Sequence, residues 1–112
     1  MTAMSGRVTF GAFELDLESG RLSKAGRVLK LRPQPTRVLC LLVSQAGRPV
    51  PREQIRRLLW GESTFVDYDV GMDYCVYRIR TALGDKAQAP RFVETLPGVG
   101  YRRPRPTWAP AP

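Results

Sequence analysis

Two stretches in the second half of the chain decide how it folds. The first is Asp69-Val70-Gly71-Met72-Asp73-Tyr74-Cys75-Val76-Tyr77-Arg78-Ile79-Arg80-Thr81-Ala82-Leu83-Gly84. The second is Arg91-Phe92-Val93-Glu94-Thr95-Leu96-Pro97-Gly98-Val99-Gly100-Tyr101-Arg102-Arg103. In the first, Met72, Val76, Ile79 and Leu83 recur at i, i+4, i+7 and i+11, one apolar stripe along a helix from about Asp69 to Leu83. Gly84 closes that helix, and Asp67 or Asp69 is placed to cap its start. Asp73, Tyr74, Tyr77, Arg78 and Thr81 fall on its other faces. The second stretch reads as a hairpin, with 91–96 going out, Pro97-Gly98-Val99-Gly100 turning and Tyr101-Arg102-Arg103 returning.

Upstream, Arg52 to about Trp60 predicts a second helix, with Ile55, Leu58 and Leu59 inward and Gly61 as its stop. Pro51 stands before it and supplies no capping oxygen. Beyond Arg32-Pro33-Gln34-Pro35, the residues Val38, Leu39, Leu42, Val43 and Ala46 mark the inner face of a first helix, stopped by Gly47 and Pro49. Residues 7–31 alternate in short period-2 runs broken at Ser19-Gly20 and Ala25-Gly26, which predicts an antiparallel meander of four strands. Residues 1–6 are expected to be disordered, 7–103 to form one domain, and 104–112, with four prolines, to be an extended tail or linker.

Composition narrows the function. The chain has 112 residues, 18 Lys+Arg against 10 Asp+Glu, a net charge of +8, two Cys and no His. The positive charge is spread: residues 1–50 hold 8 basic and 3 acidic residues, and 51–112 hold 10 and 7. Without His there is no Ser-His or Cys-His pair, and two Cys make neither a four-ligand zinc site nor a disulfide scaffold. No run of residues approaches the ~20 apolar positions of a membrane span, and no signal peptide is evident. The expectation is a non-catalytic domain with no metal, no cofactor and no small-molecule substrate. Cys40 and Cys75 are expected to be reduced packing residues. A pI near 10.3 asks for an anionic partner.

Three helices, the third basic at its end and followed directly by a Gly-containing hairpin, make an α+β winged helix-turn-helix. Its parts are an N-terminal four-stranded antiparallel sheet, a three-helix bundle and a C-terminal β-hairpin wing. In such a domain the second helix props the third against the core, the third enters the DNA major groove, and the hairpin lies on the flanking backbone or minor groove.

From Phe10 to about Arg103 the chain resembles the C-terminal effector domain of OmpR/PhoB-type response regulators, and more nearly the N-terminal DNA-binding domain of CadC/ToxR-like regulators. The resembling strings are Gln34-Pro35, Arg52-Glu53-Gln54-Ile55 through Leu59-Trp60, and Phe65-Val66-Asp67-Tyr68-Asp69. Arg78-Ile79-Arg80-Thr81-Ala82-Leu83-Gly84-Asp85, Pro90 through Pro97 and Gly100-Tyr101-Arg102 complete the set. The resemblance implies that the last hairpin joins a small C-terminal sheet. It implies sequence-specific binding of double-stranded DNA in bacterial transcription regulation, with two copies side by side on a direct repeat.

The resemblance also assigns roles. Arg78 stands where a recognition-helix base is expected, to fork onto guanine or hold phosphate. Tyr77 is expected to contact DNA, Thr81 one turn on is a weaker contact, and Tyr74 reads equally as contact or scaffold. Arg80 is either a phosphate contact or a structural ion-pair partner. Thr95 matches a phosphate-binding wing residue. Pro97 departs from the basic residue usual at the wing tip, and Arg102 or Arg103 would compensate, only one of them facing DNA by strand alternation. Arg52 begins the second helix, where backbone N–H groups also meet phosphate. Tyr101 is expected in the core, and Trp60 mostly so. Asp73 reads as a helix-N-terminal acid. The alternative is a winged-helix protein-interaction module with weak or no DNA binding, RNA polymerase being one partner through the loop 61–68. A cytoplasmic, nucleoid location is expected; if the chain is part of a longer protein, the parent could be membrane-anchored through the tail.

Overall fold

The computed structural model describes residues 6–61, 68–86 and 88–103. The meander forms as expected: β1 (Arg7–Phe10), β2 (Phe13–Asp16), β3 (Arg21–Lys24) and β4 (Arg27–Leu29) pair antiparallel in that order. Opposed pairs Val8–Leu15, Phe10–Phe13 and Leu22–Leu29 fix the register. Phe10, Phe13, Leu15 and Leu22 go inward because successive strand residues alternate faces. Gly6, expected to be disordered, accepts the Leu17 amide at 2.8 Å through its carbonyl. Residues 1–5 and the tail 104–112 lie outside the described residues.

Helix α1 (Pro33–Ser44) starts with proline at its first position, where the missing N–H costs nothing. It buries Val38 through Val43 without a break, so it is the central helix of the bundle. It ends at Ser44, and Ala46 lies beyond it, exposed in the turn, rather than on its inner face. The Gln45 amide reaches back to the Leu41 and Leu42 carbonyls and closes the last turn early.

A short strand β5 (Val50–Pro51) leads into α2 (Arg52–Trp60). Ile55 and Leu59 of α2 are buried; Leu58 is only half-buried, on the edge of the core. Pro51 is the N-cap and makes no side-chain cap bond. Helix α3 (Tyr68–Leu83) buries Met72, Val76, Ile79 and Leu83 as the stripe requires, with Cys75 beside them. Asp67, one of the two possible caps, is not among the described residues; Asp69 lies within the first turn of α3. Gly71 is where α2 meets α3: a Cβ there would stand 2.6 Å from the Trp60 ring, so the missing side chain lets the indole lie against the helix.

Strands β6 (Glu94–Leu96) and β7 (Gly100–Arg102) form the hairpin, and β7 also pairs with β5 to give a three-stranded sheet in the order β5-β7-β6. The outgoing strand is shorter than the sequence suggests, because Arg91–Val93 give their amides to a side chain instead of a ladder. Gly100 has φ +158° and sits so close to β5 that a Cβ would stand 2.0 Å from the Val50 carbonyl oxygen. That atom is backbone and cannot swing aside. Gly100→Ala is therefore expected to destabilise the domain by about 2–4 kcal/mol. Urea unfolding measures this directly, and an unchanged midpoint would show that β7 does not approach β5 this closely.

Candidate nucleic-acid interface

The buried stripe of α3 fixes which of its side chains face outward. At 100° per residue, Val70, Tyr74, Tyr77 and Thr81 lie on the side opposite Met72, Val76, Ile79 and Leu83. The structure leaves them there: Val70 is 64% exposed, Tyr74 50% and Tyr77 61%, and Thr81 is also exposed. The Thr81 hydroxyl donates to the Tyr77 carbonyl at 2.9 Å, so it is engaged within the helix. Arg78 flanks this stripe on one side. It is half-buried, its Nε is enclosed without a hydrogen-bond partner, and no ion pair to another described residue holds it.

On the other flank, α3 is tied to the hairpin. Arg80 donates through Nη2 to the Val93 carbonyl at 3.0 Å and to Thr95 Oγ1 at 2.9 Å. These bonds brace the hairpin, with a wing hydroxyl and a carbonyl as partners rather than the carboxylate of an ion pair. Thr95 stays exposed; its oxygen accepts from Arg80, which leaves its O–H free to donate to another group. Asp85, just past the helix, accepts the amides of Arg91, Phe92 and Val93 at 2.8, 3.1 and 2.9 Å. This carboxylate folds the segment entering the wing. Sequence reading passed over it because its partners are backbone groups six to eight residues away. Tyr77, Arg80, Thr81 and Thr95 line one open cleft between α3 and the wing, together with Arg52 and Asp73.

Besides Arg80, three more arginines expected at DNA have partners inside the domain. Arg52 bonds Asp69 at 2.9 Å, lies 3.6 Å from Asp73 and donates to the Tyr101 hydroxyl at 3.0 Å. Tyr101 in turn donates to Asp73 at 2.7 Å. Burial, and then the Asp73 acceptor, push the Tyr101 hydroxyl above its ordinary range, so it keeps its proton. The Asp73 carboxylate thus joins α3 to α2 and β7. The Arg52 amide is also engaged, donating to the Val99 carbonyl at 3.2 Å. Arg102 bonds Glu94 across the hairpin at 2.7 Å. Arg103 is 5% exposed and lies over the rings of Phe10 and Phe92, with centroid distances of 5.1 and 5.9 Å. Of the pair Arg102 and Arg103, of which strand alternation lets only one face DNA, Arg103 is the inward one: the aromatic cluster Phe10, Phe13 and Phe92 draws its long side chain inward. At the wing tip, Pro97, Gly98 and Val99 are exposed and carry no charge.

Tyr101 is buried as expected, and Trp60 is half-buried against Gly71 and Tyr68. Cys40 and Cys75 are free and buried, and burial pushes both thiols up, away from the reactive thiolate. Among the described residues no cluster of acidic or cysteine side chains is arranged for a metal, and no helix is long and apolar enough to cross a membrane.

Residues 26–103 match the family described as "Transcriptional regulatory protein, C terminal". The chain belongs to this family. Its fold is that of the OmpR/PhoB DNA-binding domains. It overlays DrrB, an OmpR/PhoB homologue from Thermotoga maritima, with a TM-score of 0.77 at 29% identity, covering 89% of this chain and 45% of that one. The DNA-binding domain of CpxR from E. coli gives 0.75 at 25% identity, covering 89% and 97%. In sequence the chain is 33% identical over 94 residues to the transcriptional regulatory protein AfsQ1 of Streptomyces coelicolor, covering 84% of this chain and 41% of AfsQ1. It is 35% identical over 91 residues to the phosphate regulon regulatory protein PhoB of Rhizobium meliloti, covering 81% and 39%. The chain thus spans about two fifths of the length of these relatives.

In this OmpR/PhoB-type domain the wing is held by Asp73 and Arg80 of α3 and by Asp85 just past the helix. Asp85→Ala removes an ionised acceptor from three amides and is expected to cost about 2–3 kcal/mol. Amide hydrogen exchange should show Arg91, Phe92 and Val93 losing protection first. Unchanged protection there would show that Asp85 does not organise the wing.

Proposed function

We propose that this domain binds double-stranded DNA sequence-specifically, as the DNA-contacting part of a bacterial transcription regulator, with α3 in the major groove and the wing on the flanking backbone. One observation carries the reading. The exposed face of α3 lies beside an exposed wing hydroxyl, Thr95, whose oxygen is held by Arg80 and whose O–H is free to donate. A groove-reading helix beside an exposed phosphate donor is the pairing that such recognition needs. The net charge of +8 supports the same partner. Arg78 is the base-reading or phosphate-holding cation, Tyr77 and Tyr74 contact the groove wall or floor, and Thr95 donates to a phosphate.

Arg52, Arg80, Arg102 and Arg103 act at one remove in this reading, holding α2, α3 and β7 in the shape that fits the groove. Two copies side by side on a direct repeat, and contact with RNA polymerase through the loop 61–68, belong to the same proposal. Most of that loop lies outside the described residues. The rival reading, a protein-interaction module, draws on the uncharged wing tip and on Arg52 being neutralised by Asp69 and Asp73.

Selection from random duplex DNA tests the proposal. A recovered direct repeat whose affinity falls steeply with salt is the expected result; no binding at low salt would hand the domain to the rival reading. On the recovered site, Arg78→Ala is expected to cost about 1–3 kcal/mol and to relax preference at one base pair. Thr95→Ala should weaken all sequences alike, and a sequence-selective loss would contradict its phosphate role.

A further inference from the structure

Helix α3 carries two stripes with the same spacing. Met72, Val76, Ile79 and Leu83 form the buried one, and Val70, Tyr74, Tyr77 and Thr81 repeat i, i+4, i+7 and i+11 on the opposite side. A groove-reading face built from a valine, two tyrosines and a threonine has little of the chemistry that forks onto guanine. Of the charged groups beside it, Asp69 and Asp73 are joined to Arg52, and Arg80 is bonded to the wing. Arg78 alone among these is without a described ion-pair or hydrogen-bond partner. Thr81 has its hydroxyl turned to the Tyr77 carbonyl, so the group it offers outward is its methyl.

Apolar side chains have one apolar counterpart in the major groove, the C5 methyl of thymine. Burying such a methyl against a ring or an aliphatic group releases water, as any apolar burial does. From this match we infer that the specificity of this domain is set mainly by thymine methyl groups packed against Tyr74, Tyr77 and Thr81. Arg78 adds a single polar contact at the edge of the run. The half-site is then a short T-rich stretch on one strand, read by shape and methyl position. The tyrosine rings act here; their hydroxyls are secondary. The inference rests on the DNA-binding reading above.

The test uses the full chain and the site recovered by selection. Each thymine of the half-site is replaced in turn by deoxyuridine, which keeps every Watson–Crick and groove-edge hydrogen bond and removes only the methyl. At two or more positions the substitution is expected to weaken binding about fourfold, the loss of one buried methyl. Tyr77→Ala should lower affinity for the thymine site and leave the deoxyuridine site little changed. Tyr77→Phe, which keeps the ring, should behave as the parent domain. Both changes are at an exposed position, and unfolding midpoints check that the fold is kept. A recovered motif that is indifferent to deoxyuridine, or a Tyr77→Phe variant as impaired as Tyr77→Ala, would overturn the methyl reading while leaving DNA binding intact. Failure to recover any motif would overturn both.

Discussion

Five side chains on one side of α3, Met72, Cys75, Val76, Ile79 and Leu83, have to leave water, and the rest of the domain is arranged around that need. Their burial against α1 sets the rotation of α3 about its own axis. Once that phase is set, the outward residues follow with no further choice. The N-terminal sheet and α1 complete the apolar wall, and Gly71 lets α2 close in from the other side through Trp60. The surface offered to a ligand is thus a by-product of core packing, rigid because the core is rigid.

The wing is tied to that helix by polar groups. Arg80 reaches from α3 into the hairpin, and Asp85 gathers three consecutive amides just before it. Arg52 and Tyr101 join α2 and β7 to the two aspartates of α3. These contacts turn charges that composition would credit to an anionic partner into internal braces. Net charge still draws the domain toward an anion, because long-range potential sums over all residues. Which atoms touch the partner is a separate matter. Here the outward face of α3 is aromatic and methyl-bearing, flanked by Arg78 on one side and by the wing-bonded Arg80 on the other.

Much of the fold was legible in the chain. The four short strands, the inward faces of the three helices and the hairpin turn follow from period 2, period 3.6 and glycine placement. All three are properties of neighbouring residues. The misreadings lie where a particular hydrogen bond outcompeted the periodic pattern. Ala46 fits the stripe of α1, but the helix closes before it. Arg91–Val93 fit a strand, but Asp85 takes their amides. Strand β5, only Val50 and Pro51, has no period of its own and exists because β7 lies beside it.

The candidate site divides along the same line. The sequence by itself determined that α3 presents Tyr74, Tyr77, Arg78 and Thr81 away from its core, since helical periodicity leaves them no other side. It also determined that a hairpin with Thr95 follows. Tertiary structure alone decided what the remaining cations do. It put Arg103 on Phe10 and Phe92, Arg102 on Glu94, Arg52 between Asp69 and Asp73, and Arg80 on Thr95. An arginine reaches several ångströms from its backbone and bonds wherever an acceptor or a ring lies within that sphere. Except for Glu94, which faces Arg102 across the hairpin, those neighbours come from more distant parts of the chain, so no local pattern encodes them.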